Sequence, residues 1–449
     1  MKKILAYFSL ILVLGVAYVG YTNYPKLDII TGYASKMVAS AVFVADRTQE
    51  SVNKCDNNFS PINLASIEVN EKEKSVSATL YGLKKNKAVY REGLGVVVVT
   101  DDYDEKANLI APQRNIRETN LAFPYGDMAQ KDTIFANVNY DLLNKAVDNS
   151  FDINPDRIEG SRSVMVIYKD QIIAEKYAEG FDKETVLLGW SMTKTITSTM
   201  YGIMQKKGMV DINAKAEVPE WQNDERKEIT YNNLLQMNSG LEWDENYNKI
   251  SDVTKMLYLE SDMSVMQREK GLTGKPNESW NYSSGTSNLL SGYLMRNKFE
   301  SQQDYINFWY NELFDKIGMN SMILETDVMG NVIGSSYSWA NTRDWAKFGL
   351  LYLHEGNWNG EQVIDSTWVD YAVTPTNTSG GNYGAQIWLN VDHSEYADAP
   401  EDLYFFDGYQ GQRVFVIPSK DMVVVRMGIN NTNKMDFNAF LKEVIGAVE

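Results

Sequence analysis

Strand-forming runs stand at both ends of the stretch from about residue 136 to residue 449, with helical patterns between them, and this order constrains the fold more than any other feature. Early in the stretch, Ser163-Val164-Met165-Val166-Ile167-Tyr168 and Gln171-Ile172-Ile173-Ala174-Glu175-Lys176-Tyr177 flank Lys169-Asp170, which predicts a β-hairpin. Late in it, Gln412-Arg413-Val414-Phe415-Val416-Ile417 and Met422-Val423-Val424-Val425-Arg426-Met427 flank the turn Pro418-Ser419-Lys420-Asp421. Helical patterns at Tyr231 to Met237 and Asp344 to His354 lie between them. A short helix at Tyr140 to Val147 precedes the first hairpin, and an amphipathic helix using Phe437, Phe440, Leu441, Val444 and Ile445 closes the chain. The expected class is α+β: an antiparallel sheet built from both ends of the domain, carrying an inserted helical half. A cleft between the two halves is the default place for a site.

Two further segments precede this domain. Lys2 and Lys3 are followed by an apolar run from Ile4 to Gly20, which predicts a signal-anchor or signal peptide over residues 1–24. Gly15-Val16-Ala17 offers a weak cleavage site, but Tyr18, Val19 and Tyr21 extend the apolar character past it and favour an uncleaved membrane anchor. With the lysines on the short side, the rest of the chain is expected outside the cytoplasm, on the periplasmic or extracellular face. Residues 25–135 read as a small β-rich extension, with strands at Ser75 to Tyr81, Lys87 to Arg91 and Gly95 to Thr100. The acidic cluster Asp101, Asp102, Asp104 and Glu105 lacks an EF-hand pattern and reads as a solvated turn.

Composition excludes several classes of function. The 60 acidic and 43 basic side chains give a net charge of −17 spread along the chain, so no nucleic-acid partner is expected. A single cysteine, Cys55, excludes an internal disulfide and a thiolate metal cage. The two histidines sit where catalysis is not expected: His354 at the end of a helical pattern, His393 in the acidic loop Asp392-His393-Ser394-Glu395. Neither Gly-x-Ser-x-Gly nor His-Glu-x-x-His surrounds any candidate, so the expected chemistry uses no metal and no cofactor.

What remains is a serine and lysine pair. Ser191-Met192-Thr193-Lys194 follows the apolar Val186-Leu187-Leu188-Gly189-Trp190 and opens a helix of about eighteen residues, whose apolar face is Met192, Ile196, Met200, Ile203 and Met204. Ser191 is placed at the helix start, where its backbone N–H is a free donor. Lys194 in a first turn is unfavourable beside the positive end of the dipole, and burial adds to the pressure toward its neutral form. A neutral amine one turn from a hydroxyl is a candidate general base. The spacing alone also fits a solvated lysine, and Ser51-Val52-Asn53-Lys54 repeats the pattern in a polar run with no helical period.

Two later stretches give the pair its context. Trp280-Asn281-Tyr282-Ser283-Ser284-Gly285 makes a polar turn before Leu289-Leu290, and Tyr409-Gln410-Gly411-Gln412 leads into the late strand. Taken singly, Tyr282 fits a packing tyrosine and Tyr409-Gln410-Gly411 means little. In this order, residues 136–449 resemble the serine β-lactamase and penicillin-binding-protein-like hydrolases, most nearly the branch with class C β-lactamases, related esterases and 6-aminohexanoate-dimer hydrolases. The resemblance implies a β-lactamase-like fold, with Ser191 as nucleophile, Lys194 as its partner and Tyr282 as proton shuttle. It also implies an oxyanion hole made by the backbone N–H groups of Ser191 and Gln412, with Trp190, Ser284, Tyr409 and Gly411 around the substrate.

Two departures narrow the substrate. Ser284 stands where the family's second motif usually has asparagine, and Tyr409 where lactamases have lysine. Both point toward an ester or linear amide and away from β-lactams. The implied activity is a serine hydrolase forming an acyl-enzyme on Ser191. The alternatives are a non-hydrolysing penicillin-binding-type sensor and a D-amino-acid peptidase acting on cell-wall peptides.

Overall fold

In a computed structural model, residues 2–105, 110–116, 119–126, 128–151, 160–430 and 435–448 are described, with the side chains of 2–6, 13, 16, 17 and 19 outside that description. The chain begins with one long helix, α1 (Lys2–Phe43), which continues through Pro25. Its first half exposes large apolar side chains, among them Tyr7, Phe8, Ile11, Leu14, Tyr18 and Tyr21, whereas Thr31 to Ala41 are buried. Among the described residues, no helix is long and apolar enough to cross a membrane.

The boundary expected at residue 24 therefore falls inside a helix. A helix covered on all sides carries no 3.6-residue apolar stripe, which is why Thr31, Ser35, Lys36 and Ser40 hid it from a pattern reading. The segment after α1 is β-rich, in line with the sequence pattern. An antiparallel meander of β1 (Ser66–Asn70), β2 (Ser75–Leu80), β3 (Lys84–Arg91) and β4 (Gly95–Val98) lays Val76, Ala88 and Val96 against Val38, Ala39 and Ala41 of α1.

Buried charges fasten this extension to the main domain. Lys36 of α1 pairs with Glu325, whose Oε1 also accepts from Ser40 Oγ (2.8 Å) and the Val96 backbone N–H (3.0 Å). Asp56 receives the guanidinium forks of both Arg47 and Arg162, and these two cations hold its carboxyl well below the usual carboxylate range despite burial.

The main domain follows the order read from the sequence. Helix α2 (Tyr140–Asn149), capped by Asn139 Oδ1 on the Leu142 N–H (3.1 Å), precedes the hairpin β5 (Gly160–Tyr168) and β6 (Gln171–Tyr177). Lys169 and Asp170 turn that hairpin at φ 48° and 60°, the left-handed pair of a tight two-residue loop. The inserted half contains α3 (Thr193–Lys206) and α4 (Ser284–Leu289), followed by α5 (Thr342–Leu353). The chain then adds β7 (Trp388–Leu389), β8 (Tyr404–Gly408), β9 (Gln412–Ile417) and β10 (Met422–Ile429), and ends in α6 (Phe437–Gly446).

These strands form one antiparallel sheet in the order β7-β8-β9-β10-β5-β6, so β10 from the end of the chain pairs with β5 from the start, Val424 opposite Val166. Both faces are covered, which explains the unbroken apolar run of β10. Val423, Val425 and Met427 join the core containing α3 and α5, while Met422 and Val424 meet α2 and α6. Strand β8 has no counterpart among the predicted elements. Its short run Tyr404-Phe405-Phe406 is buried on both faces and shows no alternation, and β8 turns out to lie beside the site.

Candidate active site

Ser191 sits in a 3₁₀ turn, Trp190–Met192, immediately before α3 rather than within its first turn. Trp190, just ahead of it, has φ 49°, a left-handed conformation that is costly for a bulky side chain and is retained where surrounding packing imposes it. That packing is visible. The Trp190 ring stacks on Tyr33 of α1 (6.5 Å), lies 5.6 Å from Tyr337 and meets Tyr409 edge-on at 5.4 Å. Thr193 Oγ1 ties the turn down by donating to the Trp190 carbonyl (2.7 Å).

Lys194 follows in the first turn of α3 with only 1% of its surface exposed. Its Nζ lies 3.1 Å from Ser191 Oγ, 2.9 Å from Ser284 Oγ and 3.0 Å from the Ser335 carbonyl oxygen. Burial lowers its pKa to about 8, against the opposing pull of Glu245 and Asp407. At pH 7 roughly a tenth of such lysines carry a free amine. The direction is the one expected from the sequence, with burial as the principal cause.

Tyr282 closes the other side. Its ring lies 4.7 Å from Lys194 Nζ, and the Ser191 side chain is close enough to act on its pKa. Burial raises the phenol well above its usual pKa, so it stays protonated across the neutral range. Ser191, Lys194 and Tyr282, which are spread over 92 positions of sequence, thus converge on one point. Trp280 packs around Tyr282 together with Tyr383 and Trp388.

Ser284 is fully buried behind Lys194, so its hydroxyl faces the lysine and not an open subsite. Tyr409 is the more exposed residue, 37% accessible, and stacks on Tyr247 at 5.4 Å. Trp190 and Tyr33 of α1 are buried behind it, so the aromatic surface beside Ser191 is that of Tyr409 and Tyr247, backed by Trp190.

The third stretch is the turn between β8 and β9. Gln410 and Gly411 are left-handed, φ 63° and 81°, and Arg426 steadies the turn by donating to the Gly411 carbonyl (2.9 Å). Gln412 begins β9, with β8 between it and the sheet edge, and its side chain bridges to Gly428 of β10. The strand end that meets the turn carrying Ser191 is Gly408 of β8. A Cβ there would come within 2.2 Å of the Gly189 carbonyl oxygen, so only glycine allows the approach. Gly411 therefore shapes the turn, while Gly408 makes the contact.

Two participants were not legible in the sequence. Glu245 accepts from Ser284 Oγ (2.5 Å) and the Ser284 N–H (2.9 Å), and from the Trp243 indole N–H. In Trp243-Asp244-Glu245-Asn246 nothing distinguishes it from a solvated acidic turn. The Ser335 carbonyl has no side-chain signature at all. The residue is held by the Ser335 N–H donating to Asn288 Oδ1 (3.0 Å), and the carbonyl's own peptide by the Ser336 N–H donating to the Ile333 carbonyl (3.2 Å). Among the described residues, no group of His, Cys, Asp and Glu is arranged to hold a metal ion.

The antiparallel sheet with a helical insertion, and the serine and lysine at their junction, define the β-lactamase-like α+β class. Residues 157–442 match the Beta-lactamase family model, and the chain belongs to that family. A search of curated proteins returned no match. Among solved structures, the chain is similar to a protein from Bacillus anthracis provisionally assigned as a 6-aminohexanoate-dimer hydrolase, at 19% identity and TM-score 0.56 over 68% of this chain and 80% of that one. It is also similar to a class C β-lactamase, at 14% identity and TM-score 0.53 over 70% and 99% of the two chains. A provisionally assigned β-lactamase from Bacteroides dorei gives 14% identity and TM-score 0.53 over 69% and 97%. At these identities the likeness establishes the fold.

Proposed function

We propose that this protein is a serine hydrolase that cleaves an ester or linear amide through an acyl-enzyme on Ser191. The observation that carries the reading is the buried Lys194 amine, 3.1 Å from Ser191 Oγ, with its pKa lowered to about 8. Lys194 in its free-amine form takes the Ser191 proton as Oγ attacks the carbonyl. Tyr282 starts protonated and is therefore the donor to the leaving group rather than the first base, and the proton that Lys194 took from Ser191 restores the phenol. The oxyanion rests on the Ser191 N–H and on a second backbone donor. The resemblance implies the Gln412 N–H for that donor, and the close approach of Gly408 to the turn that carries Ser191 makes the Tyr409 N–H at the end of β8 a second candidate.

The aromatic surface of Tyr409 and Tyr247 supports an apolar acyl or alcohol group, and Tyr409 offers no cation there for a β-lactam carboxylate. The exposed apolar half of α1 supports attachment to a bilayer through the N-terminus. The test of the activity is incubation with p-nitrophenyl butyrate and, separately, with an alkyl fluorophosphonate. Sustained ester release with labelling at Ser191, both absent in Ser191→Ala, is the expected result. A single stoichiometric burst identifies a sensor instead, and turnover undiminished in Ser191→Ala overturns the assignment.

A further inference from the structure

Ser284 by itself is an ambiguous neighbour for a catalytic amine, because a hydroxyl can either donate or accept. The structure removes that ambiguity. Ser284 Oγ donates to Glu245 Oε1 (2.5 Å) while the Ser284 backbone N–H donates to Oε2 (2.9 Å), so the hydroxyl proton is committed to a carboxylate. Glu245 is in turn fixed by the Trp243 indole N–H on Oε2 and by the Tyr247 hydroxyl, 3.5 Å from Oε1. We propose that Glu245 is a positioning residue for acylation: by holding the Ser284 proton it makes Ser284 Oγ an acceptor for Lys194, and so turns the lysine lone pair toward Ser191. This rests on the Ser191 and Lys194 chemistry proposed above.

Counting protons shows why the device matters. The Lys194 ammonium has one acceptor for each N–H: Ser191 Oγ, Ser284 Oγ and the Ser335 carbonyl. On losing a proton it keeps two N–H groups and gains a lone pair. The Ser335 carbonyl can only accept, and it is held in place by the Ser335 N–H on Asn288 and the Ser336 N–H on the Ile333 carbonyl. With Ser284 Oγ also restricted to accepting, both N–H groups stay on these two oxygens, and the lone pair is left facing Ser191. As the bond from Ser191 Oγ to the substrate carbonyl carbon forms, the serine proton passes to Lys194 Nζ and the carbonyl π pair moves onto oxygen. Were the Ser284 proton free, the amine could accept from Ser284 and direct an N–H at Ser191, which blocks the transfer.

The charges around Lys194 are Glu245 and Asp407, the latter paired with Arg413, and the surrounding phenols Tyr282, Tyr247 and Tyr383 are kept protonated by burial. Removing the Glu245 charge withdraws support from the ammonium form, so the amine is freed at lower pH.

The test uses the full chain and reads the second-order rate of Ser191 labelling by an alkyl fluorophosphonate over roughly pH 6 to 10, which requires no knowledge of the natural substrate. In Glu245→Gln the alkaline plateau is expected to fall about tenfold while the acidic limb moves down by on the order of one pH unit. In Glu245→Asp the charge is kept but the reach is lost, so the limb stays and the plateau falls. Ser284→Ala lowers the plateau too, and the double variant Glu245→Gln with Ser284→Ala is no slower than Ser284→Ala alone. A wild-type plateau in Glu245→Gln overturns the proposal, as do effects of the two substitutions that multiply. Absence of Ser191 labelling in the wild type removes the nucleophile assignment and this inference together, whereas labelling with an indifferent Glu245 removes this inference alone. If Glu245→Gln does not fold, by its thermal transition, Glu245→Asp and Ser284→Ala decide the matter.

Discussion

At the scale of single residues, the proposed mechanism requires one amine to be kept uncharged and aimed. Burial pulls Lys194 to about 8 while Glu245 and Asp407 pull the other way, so the free amine gains population as pH rises through that value. The expected kcat/KM profile for a neutral ester therefore climbs with pH, reaches half its plateau near pH 8 and is checked by initial rates in buffers of constant ionic strength. Gly408 belongs to the same scale. A methyl group there meets the Gly189 carbonyl, so Gly408→Ala pushes β8 off the nucleophile turn, with a predicted loss of on the order of 10² to 10³ in kcat if the strand supplies the second oxyanion donor. Steady-state kinetics beside a thermal melt separates that effect from unfolding. Ser191, Lys194 and Tyr282 were readable because residue type, spacing and order all bear on them. Glu245 was not, since its importance lies in a contact 39 positions away at Ser284, and an isolated acid in a polar turn carries no mark of that contact.

At the scale of elements, turns and alternation made the hairpins legible, whereas burial on every side concealed β8 and the inner half of α1. That inner half reaches the site indirectly. Lys36 and Ser40 hold Glu325, whose backbone N–H donates to the Tyr337 carbonyl (2.9 Å) and whose carbonyl accepts from the Ile333 N–H (3.0 Å). This clamps the loop that presents the Ser335 carbonyl to Lys194. Lys36→Met leaves the Glu325 carboxylate buried without its cation, and such a deletion typically costs about 3 to 5 kcal/mol. The expected result is a urea midpoint lowered accordingly. Replacing Lys36 and Glu325 together by methionine and glutamine recovers part of the loss, because no uncompensated charge remains.

At the scale of the molecule, α1 joins two environments that a sequence reading places in separate segments. Its outer half exposes an apolar surface, and its inner half is core, placing Tyr33 against Trp190 beside Ser191. The composition break near residue 24 marks a change of surroundings, from exposed to enclosed, and not the end of an element. Removal of the outer half and removal of the inner half should therefore have opposite consequences. A chain beginning at Pro25, a residue suited to the first turn of a helix, keeps the buried contacts and is expected to fold and retain the proposed ester turnover while losing the proposed attachment to membranes. A chain beginning after Phe43 lacks the partner of the β1–β4 meander, the Lys36 pair and the ring under Trp190, and is expected to aggregate on expression. Sedimentation with and without vesicles, with ester hydrolysis measured in each fraction, distinguishes these outcomes. Activity in the shorter chain would show that α1 is only a tether, whereas its loss there and its survival in the longer one would make the inner half of α1 part of the enzyme.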